Sequence, residues 1–171
     1  NDLNKDHQIF VVEMGSYNKG GIKILSDIVK PKIGIVTGVN EQHLALFGSL
    51  DNLLSAEGGR ELADALPKDG LLVLNGDNKY CLDLYKKTDV EKKIYTLKKD
   101  RINSDIWADE ITVKKDYVSF VALTKEKEMA SFNIDVFGKQ NIQNILAAIL
   151  VARQLGMSFN EIIKATKNIK Q

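Results

Sequence analysis

Short, nearly continuous apolar runs alternate with stretches of helical periodicity in the first half of the chain. The predicted strands are residues 9–12 (IFVV), 33–39 (IGIVTGV), 71–74 (LLVL) and 93–97. The predicted helices are residues 21–29, a helix from about residue 50 that breaks at Gly58-Gly59 and resumes at 60–66, and residues 79–87. Continuous apolar runs are typical of strands that a parallel sheet buries on both faces. The alternation therefore predicts an α/β fold, with a doubly wound, mostly parallel sheet and helices on both faces.

The pattern changes between residues 105 and 136, where apolar and polar residues alternate one by one. A period of two, interrupted by two turn-like stretches, is typical of half-exposed antiparallel strands. We expect a small three-stranded antiparallel sheet here, beside the main one. A long helix over residues 141–155 follows, with Gly156 as its C-terminal cap, and Ser158 is expected to cap a last helix over residues 160–167.

The composition indicates an ordinary globular protein and argues against two classes of partner. The 171 residues carry a net charge of +1 from 24 basic and 23 acidic side chains, which gives no electrostatic reason to expect nucleic acid as a partner. No apolar run approaches about 18 residues, so no membrane span is predicted. Cys81 is the single cysteine, which excludes an internal disulfide. With no secretory pattern at the N-terminus, we expect a cytoplasmic protein.

Two candidate site residues follow strands that are predicted to be neighbours. Glu13 comes directly after the run at residues 9–12, and His43 lies in the loop that follows residues 33–39. Because open α/β sheets bind ligands at the carboxyl ends of their strands, we expect both side chains to face one crevice. Glu13 would act there as a Mg²⁺ ligand or as a base that orients water, and the alternative is a solvated carboxylate. His43 is a candidate because it is expected to lie near Glu13. A single histidine in a loop is more often exposed to solvent than a ligand.

Two further features bear on nucleotide binding. Residues 15–22 (GSYNKGGI) have the two glycines of a phosphate-binding loop at the required spacing, but Gly21 and Ile22 stand where that loop needs a lysine and a hydroxyl. We therefore reject a phosphate-binding loop at this position. Asn141 and Asn144 lie one turn apart on the predicted long helix. Their amides suit the edge of a nucleobase, although capping and contact with solvent are commoner roles for such residues.

Four segments together resemble the Mur ligases. They are VVEMGSYNKGGI (residues 11–22), IVTGVNEQHLALFGS (35–49), LPKDGLLVLNGDN (66–78) and FGKQNIQNILAAILVARQLG (137–156). Their order and spacing match the central domain of the family. The segment around Glu13 is most similar to the MurF type, which joins D-alanyl-D-alanine to UDP-N-acetylmuramoyl-tripeptide.

This resemblance implies a Mur ligase central domain that serves an ATP- and Mg²⁺-dependent amide ligase of peptidoglycan precursor synthesis. In such a ligase ATP phosphorylates the carboxylate of the UDP-MurNAc-peptide, and the amine of D-Ala-D-Ala then attacks the acyl phosphate. The chemistry depends on positioning and on neutralisation of charge by Mg²⁺. The resemblance also implies that Glu13 holds Mg²⁺ near the γ-phosphate, that His43 holds a second Mg²⁺, and that Asn141 and Asn144 contact adenine.

The sequence departs from the family pattern at three positions. The family has a carbamylated lysine that helps to bind metal, but here the segment reads SAEGGREL, with Glu57 nearest that place. We hypothesise that Glu57 supplies a metal-binding carboxylate directly, the alternative being a surface glutamate and a lost metal site. Gly21 stands where the family usually has glutamate, and Gln140 replaces the usual histidine before Asn141.

Two parts of a complete Mur ligase are not found in these residues. The phosphate-binding loop expected upstream of Gln8 and the C-terminal domain that closes over ATP are both missing. We therefore expect residues 1–171 to be a central-domain fragment, incomplete at its N-terminus, whose partners include the enzyme's N- and C-terminal domains. Alone it should have no ligase activity and bind ATP weakly or not at all. The alternatives are a related ligase with another acceptor and a non-catalytic module that binds a nucleotide or a partner protein.

Overall fold

The computed structural model describes residues 3–98 and 104–169, and in these residues six strands form one sheet. The strands lie in chain order across the sheet. They are β1 (Ile33–Val36), β2 (Leu71–Asn75), β3 (Glu91–Thr96), β4 (Ile106–Val113), β5 (Val118–Thr124) and β6 (Met129–Ile134). The first four strands pair in parallel, and β4, β5 and β6 pair antiparallel. The predicted α/β class, with parallel strands before antiparallel ones, is confirmed.

One helix precedes β1, and the others lie between β1 and β3 or follow β6 in the chain. They are α1 (Gly21–Val29), a short 3-10 helix (Glu41–His43), α2 (Leu44–Phe47), α3 (Leu50–Ala56), α4 (Arg60–Ala65), α5 (Lys79–Lys87), α6 (Lys139–Gln154) and α7 (Phe159–Thr166). The bounds predicted for α1 and α5 are those observed, and the predicted break at Gly58-Gly59 separates α3 from α4. Of the helices in the described ranges, none has both the length and the apolar composition needed to cross a membrane.

The interior strand β2 shows that helices cover both faces of the sheet. All five of its residues are buried. Leu71 and Val73 belong to the larger core, which β4, β5, β6, α6 and α7 also form. Leu72 and Leu74 point to the other face and pack with residues of α4 and α5. Because successive side chains of a strand point to opposite faces, a continuous apolar run is what a strand covered on both sides requires.

The prediction of a buried strand at residues 9–12 is wrong. The segment is irregular and exposed, Val11 to 85% of its surface, and no described strand pairs with it. A strand needs a neighbour for its backbone N–H and C=O groups, and an apolar run supplies none. The next predicted strand, residues 33–39, is shortened to β1, an edge strand in the described sheet whose Ile35 is partly exposed.

The predicted antiparallel strands form, but they continue the main sheet and do not make a separate one. The two parts join where β3 and β4 pair in parallel, with Tyr95 opposite Ile106 and Thr96 opposite Trp107. Along β5, buried and half-buried residues alternate as the period of two predicts. The side chains of Phe120 and Phe132 stack across β5 and β6 in the larger core. A hydrophobic pattern gives the period of a strand but does not identify the neighbour that it pairs with.

Candidate functional site

A polar cleft of about 480 Å³ lies at the carboxyl ends of β1 and β2. Its polar lining includes Asn40, Glu41, Asp77, Lys79 and Gln143. This is the edge at which open α/β sheets bind ligands, and the volume lies within the range of small-molecule sites, roughly 300–1,000 Å³. The cleft is therefore the candidate ligand site of the described residues.

Glu41 is held at this cleft by two residues that begin α5. The hydroxyl of Tyr80 and the ammonium of Lys79 both donate hydrogen bonds to Glu41 Oε1. These contacts, that from Tyr80 first, hold the pKa of the Glu41 carboxyl below its usual value. The three side chains link the 3-10 helix after β1 to the start of α5. Because its pKa is lowered, the Glu41 carboxyl group is ionised at neutral pH.

His43 ends the 3-10 helix and contacts Glu57. The side chain of Asn40 caps this helix by accepting a hydrogen bond from the backbone N–H of Gln42, at 3.2 Å. His43 Nδ1 lies 2.8 Å from Glu57 Oε1. An ionised carboxylate can only accept hydrogen bonds, so the contact places a proton on Nδ1. For a neutral imidazole this leaves Nε2 with a free lone pair, the arrangement that carboxylates impose on metal-binding histidines.

Glu57 lies at the C-terminal end of α3, where a negative charge destabilises a helix. It is the C-terminal cap of α3, and the partial charge of that end repels an anion. Gly59, the next residue but one, has a φ of +82°, and a Cβ atom there would lie 2.4 Å from a methyl carbon of Val36. The glycine pair thus turns the chain sharply after Glu57. The partner that Glu57 finds in this position is His43.

A buried carboxylate that the sequence analysis did not single out supports the neighbouring loop. Glu61 of α4 accepts hydrogen bonds from the backbone N–H groups of Gly20 and Lys23, at 2.8 and 3.0 Å, and from the hydroxyl of Ser55 at 3.1 Å. A helix N-terminus attracts anions, and here the protein's own carboxylate occupies the start of α1. The contacts of Glu61 with these N–H groups agree with our rejection of a phosphate-binding loop at residues 15–22. No local pattern marks Glu61, because its partners at α1 lie about 40 positions away.

The other predicted site residues are placed less tightly. Glu13 is exposed, and it has no hydrogen bond or ion pair with any residue of the described ranges, so its place beside His43 stays a prediction. Asn141 and Asn144 lie one turn apart on α6, as predicted. The amide of Asn141 donates to the carbonyl oxygen of Phe137 at 2.7 Å, and Asn144 is exposed. Within residues 3–98 and 104–169, no group of three or more His, Cys, Asp or Glu side chains could hold a metal ion.

Comparison with known proteins relates the chain to one family. Residues 1–152 match the family model described as Mur ligase middle domain. The chain is 27% identical over 172 residues to the UDP-N-acetylmuramoyl-tripeptide--D-alanyl-D-alanine ligase of Escherichia coli (strain K12), which covers 98% of the chain and 36% of that protein. It is 31% identical over 165 residues to the enzyme of the same name from Buchnera aphidicola subsp. Baizongia pistaciae, which covers 95% of the chain and 34% of that protein. The chain thus spans about a third of the length of these relatives.

Solved structures share the fold. A crystal structure of MurF from Acinetobacter baumannii superposes with a TM-score of 0.86 at 23% identity, over 99% of this chain and 36% of that one. MurF from Thermotoga maritima in complex with ADP superposes with a TM-score of 0.70 at 16% identity, over 89% of this chain and 34% of that one. At these identities the likeness concerns the fold alone.

Proposed function

This chain belongs to the Mur ligase family, and from this premise we propose that residues 1–171 are the central domain of an ATP-dependent amide ligase. The proposed substrates are UDP-MurNAc-tripeptide and D-Ala-D-Ala, the pair that the curated relatives are named for. In the proposed reaction the tripeptide carboxylate takes the γ-phosphoryl group of ATP and releases ADP. The amine of D-Ala-D-Ala then displaces phosphate from the acyl phosphate and forms the amide. The proposed place of this reaction is the cytoplasm, where both precursors would be met.

The contact between His43 and Glu57, beside the polar cleft, is the observation that carries the proposal. Mg²⁺ at nucleotide sites is held by one or two protein groups together with the phosphates, so one protein ligand for each ion is enough. The free Nε2 of His43 would bind one Mg²⁺, and Glu13 is the proposed ligand of another near the γ-phosphate. Glu57 contacts Nδ1, on the opposite side of the ring, so in this geometry it would act on the ion through His43 and not as a second ligand. When bound, Mg²⁺ would neutralise charge on the phosphate groups. Glu57 meanwhile fixes the tautomer and the orientation of the imidazole ring.

Asn141 and Asn144 are the proposed contacts to adenine. An asparagine amide can pair with adenine by donating to one ring nitrogen and accepting from the exocyclic amine. Asn144 is exposed and has both groups available toward solvent, whereas the amide N–H of Asn141 is already donated to Phe137. Gln143, on the same turn of α6, lines the cleft. We therefore expect Asn144 to contribute more to nucleotide affinity than Asn141.

A metal titration followed by NMR tests the proposed site. Mn²⁺ replaces Mg²⁺ as the probe, because it broadens the signals of nearby nuclei. We expect selective broadening around residues 41–44 and 56–58, and its loss in His43→Ala and Glu57→Gln. His7→Ala and Glu91→Gln are matched controls, since both residues are exposed. Glu91 also lies at the amino end of β3, whereas the cleft lies at the carboxyl ends of the strands. Absence of selective broadening in the unmodified chain would contradict the metal site and favour the non-catalytic module.

A turnover assay tests the expectation that this chain needs further parts of the enzyme. The sequence contains no GxxxxGK[ST] motif, so it lacks the lysine that a phosphate-binding loop places on the β- and γ-phosphates. We expect no phosphate release above background from ATP, UDP-MurNAc-tripeptide and D-Ala-D-Ala. Release at an enzyme-like rate would overturn this expectation. Release with another amine acceptor only would instead support the related ligase with a different acceptor.

A further inference from the structure

Two asparagines after β2 hold the backbone of the loop that follows β1. The side-chain amide of Asn75 donates to the carbonyl oxygen of Thr37 at 2.7 Å, and that of Asn78 donates to the carbonyl oxygen of Val39 at 3.0 Å. Asn75 is buried and Asn78 is half-buried. These carbonyl groups lie beyond the last residue of β1, where the ladder to β2 has ended. The two side chains therefore replace the ladder at the point where the loop leaves the sheet.

The amide oxygen of Asn78 has a second task that fixes the orientation of the side chain. It accepts hydrogen bonds from the backbone N–H groups of Tyr80 and Cys81, at 3.1 and 3.2 Å, and so caps α5. With the oxygen facing two donors, the nitrogen must face the carbonyl group of Val39. Asn78 is thus a bridge between the start of α5 and the loop after β1.

The turn that carries these asparagines is anchored to two further elements. Asp77 accepts hydrogen bonds from the Thr96 hydroxyl at 2.8 Å, from the Leu97 N–H at 2.7 Å and from Gln143 of α6 at 3.2 Å. A Cβ atom on Gly76 would lie 2.6 Å from a methyl carbon of Ile94, so only glycine lets the turn approach β3 this closely. Because the turn is tied to β3 and α6, it offers the loop a fixed support.

The supported loop leads directly to the histidine of the candidate site. Asn40 follows Val39 and caps the 3-10 helix that ends with His43. Any shift of the Val39 carbonyl group moves that cap and, with it, the ring that contacts Glu57. We propose that Asn78, assisted by Asn75, is a positioning residue for His43 and Glu57, a role in the ligase reaction that rests on the function proposed above. It contributes geometry to the site and does not itself touch the metal.

The substitution Asn78→Ser separates the two tasks of this side chain. Serine is as good an N-cap as asparagine, so α5 keeps its cap, but the shorter side chain cannot also reach the carbonyl group of Val39. We expect the amides of Gln42 and Leu44, which are bonded within and next to the 3-10 helix, to exchange with solvent about fivefold to tenfold faster. The amides of Tyr80 and Cys81 should keep their protection. Asn78→Asp, which keeps the length and the cap but loses the donor, should give the same pattern.

The affinity for Mn²⁺ distinguishes a positioning role of Asn78 from a merely structural one, because a merely structural role would leave this affinity unchanged. We expect Asn78→Ser to weaken Mn²⁺ binding about tenfold, as for other groups that orient metal ligands, with α7 as protected as before. Asn133→Ser, at an exposed position of β6, is the matched control and should change neither measurement. Unchanged exchange at Gln42 and Leu44 would overturn the proposal, and so would equal acceleration across α5 and α7. If the unmodified chain binds no Mn²⁺, the proposed metal site fails, and the exchange data alone decide whether Asn78 positions the loop.

Discussion

Removing the carboxylate of Glu61 should destabilise the protein far more than an average glutamate substitution. Glu61 is 9% exposed and accepts three hydrogen bonds, two of them from N–H groups at the start of α1. In Glu61→Ala these two N–H groups and the Ser55 hydroxyl lose their acceptor. A hydrogen bond to a charged group contributes about 1.5–3 kcal/mol, and an anion at a helix N-terminus adds about 0.3–1 kcal/mol. Because neighbouring contributions do not add fully, we expect a loss of about 3–4 kcal/mol.

Urea unfolding followed by circular dichroism measures this loss. With a slope of about 2 kcal/mol per molar urea, the midpoint of Glu61→Ala should fall by about 1.5–2 M. Glu61→Gln retains one side-chain acceptor oxygen and should lose roughly half as much, about 1.5–2 kcal/mol. Glu91→Gln, at an exposed position, is the control and should stay within about 0.5 kcal/mol of the unmodified chain.

Hydrogen exchange locates the effect. The amides of Gly20 and Lys23 donate directly to Glu61, so they should lose protection first in both Glu61 variants. A loss of stability below about 0.5 kcal/mol for Glu61→Ala would refute the reasoning, since an exposed side chain would give that value. Unchanged exchange at Gly20 and Lys23 would refute it as well, because the carboxylate would then not support the start of α1.

Three further predictions concern residues outside the candidate site. Burial raises the pKa of the Cys81 thiol to about 11 from its usual 9.0. Because the unfolded chain loses this proton first, the free energy of unfolding should fall by up to about 2–3 kcal/mol between pH 9 and 11. Urea titrations of Cys81→Ala over the same pH range should not show this fall. Gly59→Ala should cost about 2–4 kcal/mol in the same assay, because it combines a positive φ with a Cβ atom 2.4 Å from Val36, and a loss below about 1 kcal/mol would contradict the close approach. Ser158→Ala removes the capping box of α7 and should lower stability by about 1 kcal/mol, whereas Asn160→Ala, exposed on the same helix, should not.

Features that depend on a few adjacent residues were predictable from the sequence. The bounds of α1 follow from apolar spacing and from Pro31 just beyond its end, and those of α5 were predicted from the sequence as well. The cap at Ser158 and the left-handed Gly156 after α6 follow from local backbone chemistry in the same way. The family resemblance is also a property of the linear sequence, and the match over residues 1–152 confirms it.

Strand pairing was not predictable, because a strand is completed by a neighbour that its own residues do not specify. Residues 9–12 have the apolar composition of a buried strand, yet they remain irregular and exposed, and no described strand pairs with them. In the opposite direction, the alternating strands predicted as a separate sheet join the main one through the short ladder between β3 and β4. In both cases the hydrogen-bonding partner decides the outcome.

The sequence by itself determined the α/β class, most helix positions, the family, and the identity of His43 and Glu57 as residues of interest. Only the tertiary structure brought His43 and Glu57 to 2.8 Å and placed Glu61 under the start of α1. It also revealed the two amides of Asn75 and Asn78 beneath the loop after β1. Helices and caps arise from contacts between residues a few positions apart, which periodicity records. The site arises from contacts that span 14 to 41 positions, and these exist only once the sheet and its helices have packed.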